Sequence, residues 1–230
     1  AEFGKDFGLG KATGVELPSE RSGIMPSTAW KQKAKHEQWL PGETISAAIG
    51  QGYVTVTPLQ MASLVGTVAN NGVSYRPRLV QAVMDRTSGN LQELPAVPRG
   101  KINAKPETFR IIKDALADVV TKGTATRAKS SIVTIGGKTG TAQVAALRTG
   151  PEENIPKKFR DHAWFVAFAP VESPKIAVAV LAEHMGHGGA AAAPLAKEVI
   201  ETYMKLVPQV PAVTSGLSGA NGPEQSAKDS

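Results

Sequence analysis

A chain of 230 residues that is 41% hydrophobic can bury the core of one ordinary domain. It has no cysteine, which excludes disulfides and thiolate metal sites, and no run near the roughly 18 consecutive apolar residues that a membrane-spanning helix needs. Its net charge of +6 is spread over short groups such as Lys31-Gln32-Lys33-Ala34-Lys35 and Lys157-Lys158-Phe159-Arg160, with few aromatics between them for base stacking, so a nucleic-acid partner is not expected.

In chain order, residues 7–21 carry Gly8, Gly10, Gly14 and Pro18 among short apolar pairs, a pattern of extended loop and turn with which a domain seldom begins. Residues 30–39 are polar and charged between two indoles, and Pro41-Gly42 then breaks the chain ahead of the apolar run 45–49. This part reads as a surface excursion returning to the core. The extended stretch Gly50-Gln51-Gly52-Tyr53-Val54-Thr55-Val56 leads to Thr57-Pro58, where the threonine caps and the proline takes the first helical position. A helix is predicted from there to about residue 70, with Leu59, Met61, Ala62, Val65 and Val68 on one face and a left-handed ending at Asn70-Asn71-Gly72.

Residues 75–84 alternate weakly as strand, Arg86-Thr87-Ser88-Gly89-Asn90 makes a turn, and Leu91 begins the return of a hairpin. Pro106-Glu107 opens a second helix, ending near Lys122-Gly123, whose core face is Phe109, Ile112, Ala115, Leu116 and Val119. Residues 132–144, 162–170 and 175–184 are rich in β-branched and aromatic side chains and read as three sequential strands, most simply an antiparallel sheet. After a Gly- and Ala-rich turn, Pro194 starts a final helix with Leu195, Val199, Ile200, Tyr203 and Met204 on one face. From Pro208 onward the composition cannot repay the entropy of ordering, so residues 208–230 are expected to form a disordered tail. The expected fold class is α+β, an antiparallel sheet flanked by helices, over residues 1–207.

The chemistry-bearing segment is Gly136-Gly137-Lys138-Thr139-Gly140-Thr141. Its place on a strand argues against a phosphate-binding loop, which needs a glycine-rich turn leading into a helix. Small residues on a strand let another backbone approach closely, and a lysine with two hydroxyls offers a cation and donors to a carboxylate, so the segment suits a peptide-like anionic ligand. The plain alternative is a bulge at Gly137 and Gly140 with a solvated lysine at 138.

Further pieces, in order, give this segment its context. They are Gly10-Lys11-Ala12-Thr13-Gly14 with Leu17-Pro18, Trp30, Gly42-Glu43-Thr44-Ile45, Ile49-Gly50-Gln51-Gly52, Thr57-Pro58-Leu59-Gln60-Met61-Ala62, the Lys-Thr-Gly segment continuing to Ala142-Gln143, Asp161-His162-Ala163-Trp164-Phe165-Val166-Ala167-Phe168-Ala169-Pro170, and Glu183-His184 before Gly188-Gly189. From residue 7 to about 206 the chain resembles the class B penicillin-binding proteins. Trp30 and the run from Asp161 to Phe165 resemble the elongation type more than its division counterpart.

The resemblance implies a serine in a Ser-x-x-Lys motif, a Ser-x-Asn or Ser-x-Asp motif, and the Lys-Thr-Gly strand. No serine here is followed three residues later by a lysine; the nearest imitation is Thr28-Ala29-Trp30-Lys31, in what reads as a proline-flanked loop. Ser88-Gly89-Asn90 matches the second motif literally but occupies a polar turn where those residues are expected for conformational reasons. In the family the second motif precedes the Gly-Lys-Ala-Thr-Gly segment, so the resemblance implies that the first two motifs, nucleophile included, lie upstream of Ala1.

By the same resemblance, Lys138 would sustain the proton network and field around the nucleophile. Thr139 and Thr141 hydroxyls would bind a substrate carboxylate, Gly140 would line the substrate strand, and the Thr141 backbone N–H would form half of an oxyanion hole. The implied partners are a peptidoglycan stem peptide or a β-lactam, the upstream part of the same domain, and membrane proteins of an elongation complex. The implied location is the periplasmic face of the inner membrane, with an anchor upstream. No cofactor and no metal are expected: His184 and His187, with Glu183, flank a glycine-rich turn rather than one face of a helix, and a structural role suits them better. Trp30, Trp39 and Trp164 suit packing, and Gln51 is either functional or a bridge across its glycine turn. A β-lactamase or D,D-carboxypeptidase relative and a non-catalytic binding or sensor module remain alternatives.

Overall fold

The computed structural model describes residues 2–144 and 155–206. After a short helix α1 (Glu2–Asp6), the glycine-rich opening runs as turns and extended backbone, as expected. Glu20 pins it: its carboxylate accepts from the Thr13 hydroxyl (2.5 Å), the Thr13 N–H (2.7 Å) and the Gly14 N–H (2.9 Å).

The next segment departs from the expected loop. Helices α2 (Thr28–Lys35) and α3 (Pro41–Ala48) stand where the sequence reads as a polar excursion and a break. Ser27 caps α2 by accepting the Trp30 N–H, and Pro41 serves α3 in its first turn, where a missing N–H costs nothing. Lys31 of α2 is buried, its ammonium 2.6 Å from Glu43 of α3 and 3.3 Å from Glu37. The run 45–49 does not return to the core: Ile45 on α3 and Ile49 at its C-terminal cap are 70% and 74% exposed.

Helix α4 (Pro58–Ala69) follows the expected cap, with the Thr57 hydroxyl accepting the Gln60 N–H and the Gln60 side chain accepting the Thr57 N–H. Buried Gln60 also donates to the Lys11 and Ser22 carbonyls (2.8 and 2.7 Å), fastening the opening loop to α4. The weak strand expected at 75–84 is two strands in different sheets, β1 (Val73–Tyr75) and β2 (Ala82–Met84), since Pro77 between them has no N–H to give a ladder. β2 forms a hairpin with β3 (Leu91–Glu93), and β1 pairs with β4 (Pro98–Lys101), both antiparallel.

Helix α5 (Pro106–Thr121) buries Phe109 and Val120, whereas Ile112 stays 39% exposed. Beyond a single 3-10 turn (Thr126–Ala128) come β5 (Gly136–Ala142), β6 (His162–Ala169) and β7 (Ile176–Ala182), the expected antiparallel sheet in the order β5-β6-β7. Alternation along β6 sends Ala163, Phe165, Ala167 and Ala169 to one face and Val166 and Phe168 to the other. The first face packs on helix α6 (Ala192–Leu206), and the second packs on Val65 and Ala69 of α4 and Leu116 of α5. On α6 the buried face is Ala192, Ala193, Ala196 and Ile200, while the expected Leu195 and Val199 are about half exposed; small residues let the helix lie close to the sheet, which rotates its contact stripe. No helix among the described residues is long and apolar enough to cross a membrane. The expected tail, 208–230, lies outside the described residues.

Candidate functional site

The Lys-Thr-Gly segment is β5, the outer strand of its sheet, paired with β6 from Gly136↔Phe168 to Ala142↔His162. Residues facing each other across this register share a face, so Thr139 and Thr141 lie toward α6 and Lys138 and Gly140 toward α4. Two close approaches pack the strand against its neighbours. A Cβ on Gly137 would stand 2.5 Å from Cζ of Phe165, and a Cβ on Gly188 would stand 2.1 Å from the Trp164 carbonyl oxygen and 2.7 Å from that of Gly140. The backbone that the small residues of β5 admit is thus the loop ahead of α6, and β5 pairs with β6 along all seven of its residues, with no bulge at Gly137 or Gly140.

The open edge of β5 carries the polar groups. The Thr141 carbonyl accepts from Nε2 of Gln51 (3.1 Å), 90 residues away in sequence. In antiparallel strands the N–H and C=O of one residue point to the same side, so the Thr141 N–H also faces the open edge, and so does the backbone of Thr139 two residues before it. Consistently, the exposed Lys138 folds its ammonium back onto the Thr139 carbonyl (2.9 Å). Both edge carbonyls therefore carry donors on movable side chains, which blunts the edge and can give way to an incoming chain without breaking backbone structure. The Thr139 hydroxyl lies 2.9 Å from the Thr124 hydroxyl. Gln51 reaches the strand from a turn between Gly50 and Gly52, whose φ of 77° and 69° suit glycine alone, and its own N–H donates to Ser46 of α3. The result is a strand edge with outward N–H donors, two hydroxyls on one face and a cation beside it, able to take an extended anionic peptide by strand addition.

Other candidates lie elsewhere. Ser88 and Asn90 sit in the exposed β2–β3 turn, where the Asp85 carboxylate accepts the Ser88 and Thr87 N–H groups (3.0 and 2.7 Å) and is thereby held below the usual carboxylate range. Thr28 opens α2 rather than lying in a loop, and Lys31 is taken up by its carboxylates. The His184 N–H donates to Nδ1 of His162 (2.9 Å), Nδ1 of His184 meets the Arg160 carbonyl (3.1 Å), and the two rings stack edge to face at 4.5 Å. This pairing fixes the left-handed turn at His184 (φ 57°); among the described residues no group of three or more His, Asp or Glu could hold a metal ion. Trp30, Trp39 and Trp164 are all half-buried; Trp30 packs on Tyr53 at 5.3 Å and Trp39 donates to the Thr44 hydroxyl.

The family described as the penicillin binding protein transpeptidase domain matches residues 1–201. The chain belongs to this family. Over 205 residues it is 38% identical to the peptidoglycan D,D-transpeptidase MrdA of Acinetobacter baumannii, covering 87% of this chain and 30% of that protein. Among solved structures it resembles Pseudomonas aeruginosa PBP2 in complex with WCK 5153 (TM-score 0.72, 34% identity, 88% of this chain and 42% of that one). It also resembles, at the same TM-score of 0.72, the PBP2 of a Helicobacter pylori complex of PBP2 and MreC (30% identity, 88% of this chain and 35% of that one). The chain thus spans about a third of the length of the curated relatives it matches. Within this transpeptidase-domain chain, Thr124 is the side-chain partner of β5 that sequence reasoning missed, and Gln51 the one it left undecided. Gln51 carried a signal, a polar residue between two glycines; Thr124, one residue past the glycine that ends α5, carried none.

Proposed function

We propose that this chain is the C-terminal portion of the transpeptidase domain of a peptidoglycan D,D-transpeptidase of the elongation type, acting at the periplasmic face of the inner membrane. A serine supplied by the upstream part of the domain attacks the carbonyl between the two terminal D-alanines of a stem peptide, expelling the last D-alanine. An acceptor amine then attacks the resulting ester, forming the cross-link and restoring the serine hydroxyl. A β-lactam takes the same place and leaves a persistent acyl-enzyme.

The observation that carries this reading is the backbone of Thr141, turned to the open edge of β5 beside the Thr139 and Thr141 hydroxyls. The Thr141 N–H supports the oxyanion of the tetrahedral intermediate, a donor whose loss typically costs about 100- to 1,000-fold in rate. The hydroxyls of Thr139 and Thr141 take the terminal carboxylate, Gly140 keeps the strand face clear, and the incoming chain displaces Lys138 from the Thr139 carbonyl, freeing its ammonium for the proton network. The name of the Acinetobacter baumannii relative, a D,D-transpeptidase, supports an amine acceptor over water, and the Helicobacter pylori complex of PBP2 and MreC supports a protein partner of the elongation complex.

Labelled penicillin tests the assignment. The full-length protein is expected to acquire one covalent adduct that maps to a serine outside residues 1–230, and this chain alone is expected to acquire none. An adduct on a serine within residues 1–230 overturns the division of labour, and no adduct on the full-length protein overturns the activity.

A further inference from the structure

We infer that Thr124 is a positioning residue for the substrate carboxylate, acting through the hydroxyl of Thr139; the inference rests on the carboxylate-binding role proposed above for Thr139. The two hydroxyl oxygens are 2.9 Å apart, and either could be the donor when the site is empty. A threonine hydroxyl has one proton and two acceptor lone pairs. Once a carboxylate, which can only accept, takes the Thr139 proton, the arrangement that satisfies all three groups has Thr124 donating to Thr139 and Thr139 donating to the carboxylate. Polarisation along such a chain strengthens its charge-assisted end.

The surroundings hold Thr124 in place for this. Its neighbour Ala125 is fully buried and donates its N–H to the Val119 carbonyl at the end of α5 (3.0 Å). On the other side Gly189 lies so close that a Cβ there would stand 2.1 Å from the Thr124 carbonyl oxygen and 3.6 Å from Cγ2 of Thr139. Arg127, in the adjoining 3-10 turn, ties the same loop down by donating to the Ala190 carbonyl (3.1 Å). A glycine at 189 therefore lets the loop after α5 press against β5, and the hydroxyl that arrives there meets that of Thr139, one of the two assigned to the carboxylate.

The test uses the full-length protein with benzylpenicillin and, as a probe without a carboxylate, its methyl ester, measuring acylation rate against concentration. Thr124→Val keeps the shape and removes the donor. It is expected to raise the half-saturating concentration of benzylpenicillin by about 3- to 10-fold, the range for one lost hydrogen bond, with the limiting acylation rate kept. Thr124→Ser is expected to restore it within about twofold, and Thr124→Val is expected to lose nothing further in a protein that already carries Thr139→Val. The ester is expected to show no difference between the wild-type and Thr124→Val proteins, which also reports that the variant is folded. An equal loss with acid and ester overturns the inference, as does no loss in Thr124→Val where Thr139→Val weakens binding. If Thr139→Val leaves benzylpenicillin binding unchanged, the carboxylate role of Thr139 falls, and the inference falls with it.

Discussion

At the residue scale, Gly137 shows why the site strand has the composition it does. The Phe165 ring crosses directly over it, fully buried, and a Cβ would also stand 2.6 Å from the Val166 carbonyl oxygen. Neither atom is the free end of a flexible side chain, so strand and ring must both shift. Gly137→Ala is expected to cost about 1–3 kcal/mol, the usual range for overpacking a filled core. A urea titration should show a lower midpoint with an unchanged slope, and a midpoint equal to wild type would mean that β5 is not pressed on Phe165. The residues of the strand were readable in sequence because they are contiguous and of distinctive types. Their partners were not: Gln51 and Thr124 reach β5 across 90 and 15 residues of sequence, through side-chain contacts that no periodicity encodes.

At the element scale, the sequence was readable wherever capping and periodicity agreed, as at Thr57-Pro58 for α4 and Pro106 for α5. It misled at α2 and α3, which have no core-facing apolar stripe and depend instead on an ion pair between buried Lys31 and half-buried Glu43. That dependence predicts a pH response. The Lys31 ammonium foremost, and then the Leu40 N–H, hold Glu43 below the usual carboxylate range, and Glu43 in turn raises Lys31 above the usual lysine range. A lowered carboxylate stabilises the fold above its ordinary value of 4.5 and loses that contribution as pH falls through the lowered one; a raised lysine loses its own only as pH rises past 10.5. From neutral pH downward, only the Glu43 limb is therefore felt. Glu43→Gln should melt below wild type at pH 7, and the two melting temperatures should converge as pH drops below 4.5. A gap that persists unchanged through that acid window would show that the pair does not hold α2 to α3.

At the scale of the whole molecule, one three-stranded sheet separates two apolar clusters, and the site strand leans on them at different points, on the α6 cluster at Gly137 and on the α4 cluster at Gly136. Phe165 lies among Ala192, Ala196 and Ile200 of α6 and backs Gly137, whereas Phe168 lies with Val65 and Ala69 of α4 at the end of β5 marked by Gly136. Both rings are fully buried, so truncating either to alanine is expected to cost about 3–5 kcal/mol. The two losses should be felt in different places, because local opening follows local packing. Phe165→Ala removes the support behind Gly137 and opposite Thr139, and should speed hydrogen exchange along β5 and at the loop ahead of α6. Phe168→Ala should speed exchange chiefly at α4 and along β7, where Gly66 and Ala177 meet. Under conditions in which both variants remain folded, the first should weaken penicillin acylation of the full-length protein more than the second. Identical exchange maps for the two variants would mean that the sheet opens as one unit and that the site strand has no private support.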